Sequence, residues 1–338
     1  MITYVFTGYL DVEIAGRSCI HAFQLLPTYD RGSDMARRPG IGAPGALHHM
    51  IWGNIDNEVP GGVYLCQVNE QISCGACCGL YNVPDSSFQV LMEMLTYRTD
   101  TFARIPRNMD AILAFKEEIE AKESQKRPFP EFHHCPYIGL VGTKRLGVGC
   151  LLHPLADGNK GIDFRGLSYY GGMACRVYFC PSYYHLPQVL KEIVREASRD
   201  WYLYGLVITE TKMLSTFFKE AERRLNQPIT KEDVLENEKC LEAFREFLEL
   251  KLHWPFRSDH FTGLGNYFFG DQLYPNPPIN YEAIGKTTSR YDIILRDLAS
   301  TFDSASELRR AENLLDGLIE RFAISGSKGG ARGTSVNK

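Results

Sequence analysis

The residues with the greatest capacity for chemistry are cysteines, ten in 338 residues, with seven of them between positions 74 and 180. The strongest local signal is Cys74-Gly-Ala-Cys77-Cys78-Gly79, a C-x2-C-C knuckle flanked by glycines. Two thiolates three positions apart reach one metal ion when a tight turn brings both sulfurs to one side, and glycine permits that turn. Cys77 and Cys78 are adjacent, so their side chains diverge in most backbone conformations, and placing both on one tetrahedral ion would be strained. Either one of them packs into the core or more than one metal is held.

A second element runs from His133 to Pro154. Apolar residues on both sides of Gly142-Thr143-Lys144 predict a short hairpin with Cys135 opposite Cys150, and Cys150 and His153 add a C-x2-H spacing beyond it. His153 is therefore a better ligand candidate than His133 or His134. The third element is Cys175-Arg-Val-Tyr-Phe-Cys180-Pro181, whose thiolates the N-terminus of a helix beginning near Pro187 would help stabilise. Together Cys74, Cys77, Cys78, Cys135, Cys150, Cys175, Cys180 and His153 make eight ligands. They suffice for two four-coordinate zinc sites, or for one four-thiolate iron–sulfur cluster with three cysteines in other roles.

The competing reading is buried free thiols or disulfides. A chain with ample core and no secretory signal does not call for disulfides. The isolated Cys19, Cys66 and Cys240 read as packing residues, and His21, His48, His49, His185, His253 and His260 as structural or surface residues. Asp163, Arg165, Tyr169 and Tyr170, between the second and third elements, read as an ion pair with aromatic packing rather than a reactive wall.

CGACCG, HCPYIG, GCLLHP and ACRVYFCP, in that order, resemble the YkgJ-like cysteine-cluster proteins, a zinc- or iron-chelating domain. The resemblance covers roughly residues 62–185 and carries over Cys74, Cys77, Cys78, Cys135, Cys150, Cys175 and Cys180 as ligands. It departs at the upstream cysteine, which in the usual pattern lies close to the knuckle; here the nearest is Cys66, eight residues earlier. Flagellin lysine N-methylases fall in the same broad group. The resemblance thus implies a metal-binding protein, with an iron–sulfur-dependent redox or group-transfer, methyltransferase-like enzyme as the alternative.

The elements that must position these residues are mostly helical, and the expected fold class is mainly α. A loop-rich metal-binding centre with a short β-hairpin would pack against a C-terminal helical region. Residues 1–60 lack sustained periodicity and read as a weakly ordered extension in which Met50 is a candidate for the true start. Residues 61–185 form the cysteine-cluster domain, 186–325 the helical region, and the Gly/Ser-rich 326–338 a disordered tail. Asp85 or Ser86 caps a helix stopped by Pro106, and a second runs from Asn108 to about Lys122. One stripe of Val189, Leu190, Ile193, Val194, Ala197 and Trp201 predicts a helix after Pro187, and Met213 to Leu225 another. Thr230 with Asp233, and Ser304 with Glu307, mark the starts of the last two.

Charges of 37 basic and 41 acidic residues nearly cancel, which excludes a polyanion-binding surface and argues against nucleic acid and anionic lipid. No apolar stretch approaches the ~20 residues of a membrane span, so a soluble, cytoplasmic protein is expected. Phosphate-cradling glycine loops, G-x-S-x-G and H-E-x-x-H are absent from the sequence.

Overall fold

The computed structural model describes residues 12–14, 17–19, 55–130, 132–258, 265 and 278–327. The start candidate Met50, His21, His48, His49, His260 and the tail from 328 onward lie outside them. Within the stretch expected to lack strand periodicity, β1 (Val12–Ile14) pairs antiparallel with β2 (Arg17–Cys19), Val12 facing Cys19. Residues 55–60 are also tied in, since Asp56 accepts from Arg195 at 2.9 Å and from the Tyr64 amide at 2.7 Å.

Helix α1 (Phe88–Arg104) starts at Ser87, not at Asp85 or Ser86, because the Asp85 carboxylate is used to accept the Ser87 amide at 2.9 Å. It ends two residues before Pro106. Asn108 caps α2 (Met109–Lys122) through the Ala111 amide, as its side chain chemistry favours. The hairpin β3 (Ile138–Val141) and β4 (Gly147–Cys150) follows, but its register puts Ile138 opposite Cys150. Cys135 is therefore not the strand partner of Cys150. The loop spans 142–146, with positive φ at Gly142 and Arg145, so the turn lies later than Gly142-Thr143-Lys144 symmetry implies.

Two short helices, α3 (Gly171–Val177) and α4 (Ser182–His185), carry the third cysteine element into the helical region. There α5 (Gln188–Ala197) stops before Trp201, because Asp200 turns extended and caps a separate α6 (Trp201–Val207) by accepting the Leu203 amide. Helix α7 (Thr211–Leu225) fits its stripe. The stripe after Thr230 likewise splits into α8 (Lys231–Leu235), with a full capping box, and α9 (Glu238–His253), capped by Asn237. In both cases a short polar side chain intercepts a backbone amide and restarts the helix, a local event that apolar spacing does not record. Helices α10 (Asp292–Asp297) and α11 (Ala305–Ser327) complete the chain's described part, and α11 runs into the stretch expected as tail. No described helix is long and apolar enough to cross a membrane.

Three hydrophobic cores result. The largest joins Val63, Leu65 and Ile72 to the helices from α4 onward, around the ring cluster of Phe217, Phe244, Phe247 and Phe322. A second gathers Leu80, Leu91, Leu95, Ile138, Val148 and Leu206, and a third Phe102, Ile112, Phe115, Tyr137 and Leu152. The first and second share residues of one short segment, because Tyr204 donates to the Leu65 carbonyl at 2.9 Å and Tyr81 to the Tyr202 carbonyl at 3.0 Å. This fastens the knuckle segment to the helical layer.

Inside the helical layer, Lys251 donates to the Glu210 carboxylate and, at 2.8 Å, to the Asp297 carbonyl. Burial first, then the Glu210 charge, pushes the Asp297 carboxyl up to about 8. The folded chain holds that proton to about pH 8 whereas the unfolded chain releases it near 3.8, so this group makes stability fall as pH rises between those values. Asp297→Asn should flatten the fall and raise Tm at about pH 9 relative to about pH 5. An unchanged wild-type-like slope in the variant, read by thermal unfolding across pH, would refute the assignment.

Candidate functional site

The CGACCG segment folds as a single 3-10 turn, Ala76–Cys78, closed by Cys78 N donating to Gly75 O at 3.1 Å and Gly79 N to Ala76 O at 2.9 Å. Gly79 is left-handed at φ +74°, and a Cβ there would stand 2.1 Å from the His133 carbonyl oxygen. Only glycine closes the turn and admits the second element so closely. The knuckle then receives two strands of chain. Cys74 donates its amide to the Cys66 carbonyl at 2.8 Å, and Cys135 donates to the Cys78 carbonyl at 2.8 Å. Asn82 reinforces the second junction by bonding the backbone of Phe129 and Phe132 at 3.0 Å.

These junctions bring together more thiols than the spacing rules named. Cys66, read from sequence as a packing residue, stands with the knuckle: its Sγ lies 3.3 Å from the hydroxyl of Tyr183, which itself accepts the Leu65 amide at 2.8 Å. Tyr183 also donates its amide to the Cys180 carbonyl, so one buried tyrosine joins Cys66 to Cys180. The signal available in sequence was the departure of Cys66 from the usual cysteine spacing, which seven intervening residues obscure. Those residues turn back on themselves, with Gln67 bridged to Ser73.

The thiols press on one another. Burial, and then the charge of Cys77, raise Cys66 and Cys74; burial and Cys77 hold Cys180 at about 11. Burial and the Cys150 charge push Cys135 to about 12, and burial raises Cys150 to about 11 with Cys175 adding to it. Cys78 is raised by its hydrogen bond to Cys77 and by burial, with Cys135 and Cys150 contributing. Cys77, exposed at the surface, is lowered by the same hydrogen bond from Cys78.

Cys175, also exposed, has its Sγ 3.0 Å from the Ser168 hydroxyl. The neighbouring Asp163 carboxylate accepts from both Arg165, at 2.7 Å, and Arg176, at 2.9 Å, and Arg165 in turn reaches the Cys175 carbonyl at 3.4 Å. Asp163 and Arg165 therefore pair as expected and tie the third element to the second. Tyr169 and Tyr170 pack against the His133 ring, at 5.0 and 4.2 Å between centroids.

His153 is placed differently from the cysteines. Its Nδ1 accepts the Leu155 amide at 3.2 Å, and its carbonyl accepts from Asn159 at 2.7 Å. Burial, then Arg165, lower its pKa. Cys240 lies far away in α9, bonded to the Phe322 carbonyl at 3.5 Å, and packs as expected.

Among the described residues, no group of three or more His, Cys, Asp or Glu side chains is arranged to hold a metal ion. Cysteine sulfur is the donor class that soft metals prefer, and backbone bonds pair Cys74 with Cys66 and Cys135 with Cys78. No family model, no curated protein and no solved structure matches the chain.

Beneath Cys135 runs a buried polar network absent from the motif reading. The guanidinium of Arg98, with no exposed side-chain surface, pairs bidentately with Glu123, meets His134 Nε2 at 2.5 Å and donates to the Cys135 carbonyl at 3.0 Å. His134 Nδ1 faces the Gly79 carbonyl at 2.7 Å, so the network grips both knuckle and second element. Burial opposes ionisation of Glu123, but contacts with His134 and Arg98 outweigh it and hold the carboxyl at about 2. Removing the cation strands two buried partners, so Arg98→Met should cost about 3–5 kcal/mol in unfolding free energy. Urea titration at neutral pH measures it; a loss under about 1 kcal/mol would place the network among weak surface pairs.

Proposed function

We propose that this is a metal-binding cysteine-cluster protein of the YkgJ-like type, holding zinc or an iron–sulfur cluster. The observation that carries the reading is the docking of cysteine-bearing segments on the knuckle, the Cys74 amide on the Cys66 carbonyl and the Cys135 amide on the Cys78 carbonyl, both at 2.8 Å, with Tyr183 joining Cys66 to Cys180. Thiols so placed repel once ionised, and a bound cation removes that repulsion. Cys66, Cys74, Cys77, Cys78, Cys135, Cys150, Cys175 and Cys180 are the ligands, with Cys66 taking the role that spacing gave to His153. A thiolate-bound ion supplies a crosslink between segments that are more than a hundred residues apart, which couples binding to folding.

Asp163 and Arg165 serve this centre as fasteners, since they pair with each other and hold the third element through the Arg176 side chain and the Cys175 carbonyl. Tyr169 and Tyr170 pack on one another and on the His133 ring. The reading is thus of a site whose protein groups hold and shield an ion.

Anaerobic purification with metal and sulfide analysis tests it. Cys78→Ser and Cys135→Ser should each lower metal content by at least about tenfold in affinity, while Cys240→Ser and His153→Ala leave it intact. Chelation should lower Tm. A protein that carries no metal and melts identically with and without chelator overturns the proposal, as does equal metal loss in Cys240→Ser.

A further inference from the structure

A cavity of about 670 Å³, walled by none of the cysteines, opens where three helix ends meet: the starts of α1 and α6 and the end of α9. Phe88, Tyr202 and Leu252 supply its apolar wall, and Asp85, Asp200 and His253 its ionisable groups. The volume falls in the range of small-molecule sites, which are mostly apolar with a few polar groups that fix orientation.

The wall is built before any ligand arrives. Phe88 stacks on Trp201 at 5.8 Å between centroids and meets the edge of Tyr202 at 5.5 Å, yet 47% of it stays exposed. Tyr202 is anchored at both ends, its hydroxyl donating to the Ser86 carbonyl at 2.9 Å and its own carbonyl accepting from Tyr81 at 3.0 Å. A ring held rigid at a surface offers contact area at little cost in conformational entropy.

The acids are fixed as firmly as the rings. Asp85 accepts the Ser87 amide and Asp200 the Leu203 amide, each at 2.9 Å, and both side chains are exposed. Bonding to the Ser87 amide, then to its side chain, holds the Asp85 carboxyl below the usual carboxylate range. The starts of α1 and α6 bring positive dipole ends, but each is worth about half a charge against a full negative one. Arg257 is the cation on this side, and it does not line the cavity. Its guanidinium is spent on the carbonyls of Leu250, Lys251 and Leu252 that end α9.

These groups discriminate between ligand charges. An anion would meet like charge at the rim, and a neutral apolar molecule would cover the carboxylates without replacing their water. A cation pairs with them and is also drawn to the negative face of an aromatic ring. We propose that this cavity binds an organic cation, its ammonium group paired with Asp85 and Asp200 and its apolar body laid on Phe88 and Tyr202.

Three probes with one body and different charge test this on the full chain: cyclohexylamine, cyclohexanol and cyclohexanecarboxylate, titrated by ligand-observed NMR at about pH 8, above the ordinary histidine range. The amine should bind at least about threefold tighter than the alcohol, the carboxylate most weakly, and added salt should weaken the amine alone. Asp85→Asn and Asp200→Asn each keep an oxygen for the helix amide and remove only the charge, so both should fold, as circular dichroism checks. Each should weaken the amine by about two- to fivefold and leave the alcohol unchanged. Phe88→Ala should weaken amine and alcohol together. Alcohol or carboxylate binding as tightly as the amine overturns the proposal. So does amine affinity unchanged in the folded Asp85→Asn/Asp200→Asn double variant, or no saturable binding of the amine.

Discussion

A thiolate is costly to keep in a protein interior, and this constraint shapes the centre of the molecule. Burial alone drives Cys66, Cys74, Cys135, Cys150 and Cys180 upward in pKa, and each neighbour that ionises drives the rest further. Free cysteines are common in cores, but they are dispersed there, each behaving as a small hydrophobe as Cys240 does. Docking cysteine-bearing segments on one turn has no packing advantage that valine or alanine would not supply, and backbone bonds hold those segments there.

That architecture works through backbone bonds more than through side-chain packing. The knuckle accepts the Cys135 amide and donates the Cys74 amide, so the segments on either side are docked before any sulfur is considered. The Arg98 network secures one docking and Tyr183 the other. Such buried polar groups are a stringent requirement, because each member left unpaired costs about 1–3 kcal/mol. The cores then divide the labour. Phenylalanine rings on α7, α9 and α11 stabilise a large helical body, and the thiols lie along its margin with the smaller cores rather than within it.

The sequence made the helical character readable because burial on one face leaves a period-3.6 stripe, and α7 follows its stripe closely. It concealed the breaks at Asp200 and Asn237, where a side-chain cap interrupts a stripe that continues beyond it. The hairpin was legible from its apolar flanks, but its register was not: a five-residue loop shifts the pairing, and Cys150 faces Ile138. The knuckle was legible because its chemistry is local. Cys66 was hidden because its place depends on Tyr183, 117 residues away, and no spacing rule spans that distance. Arg98 was hidden for the same reason, since a lone arginine on a helix gives no sign of facing Glu123 and His134.

The thiols beside Arg98 and those beside Tyr183 also meet negative charge by different means. A thiol that ionises there adds a charge that its surroundings must offset or shield. Near Cys135 and Cys150 stand full positive charges: the Arg98 and Arg165 guanidinium groups both lower the neighbouring thiol's pKa. Around Cys66 and Cys74 stand tyrosines instead, with the Tyr183 hydroxyl within hydrogen-bonding reach of sulfur and Tyr64 and Tyr204 close by. Arg98, with no exposed side-chain surface, acts in an interior where its charge is little screened, and the buried Tyr183 phenol acts by contact in similarly water-poor surroundings.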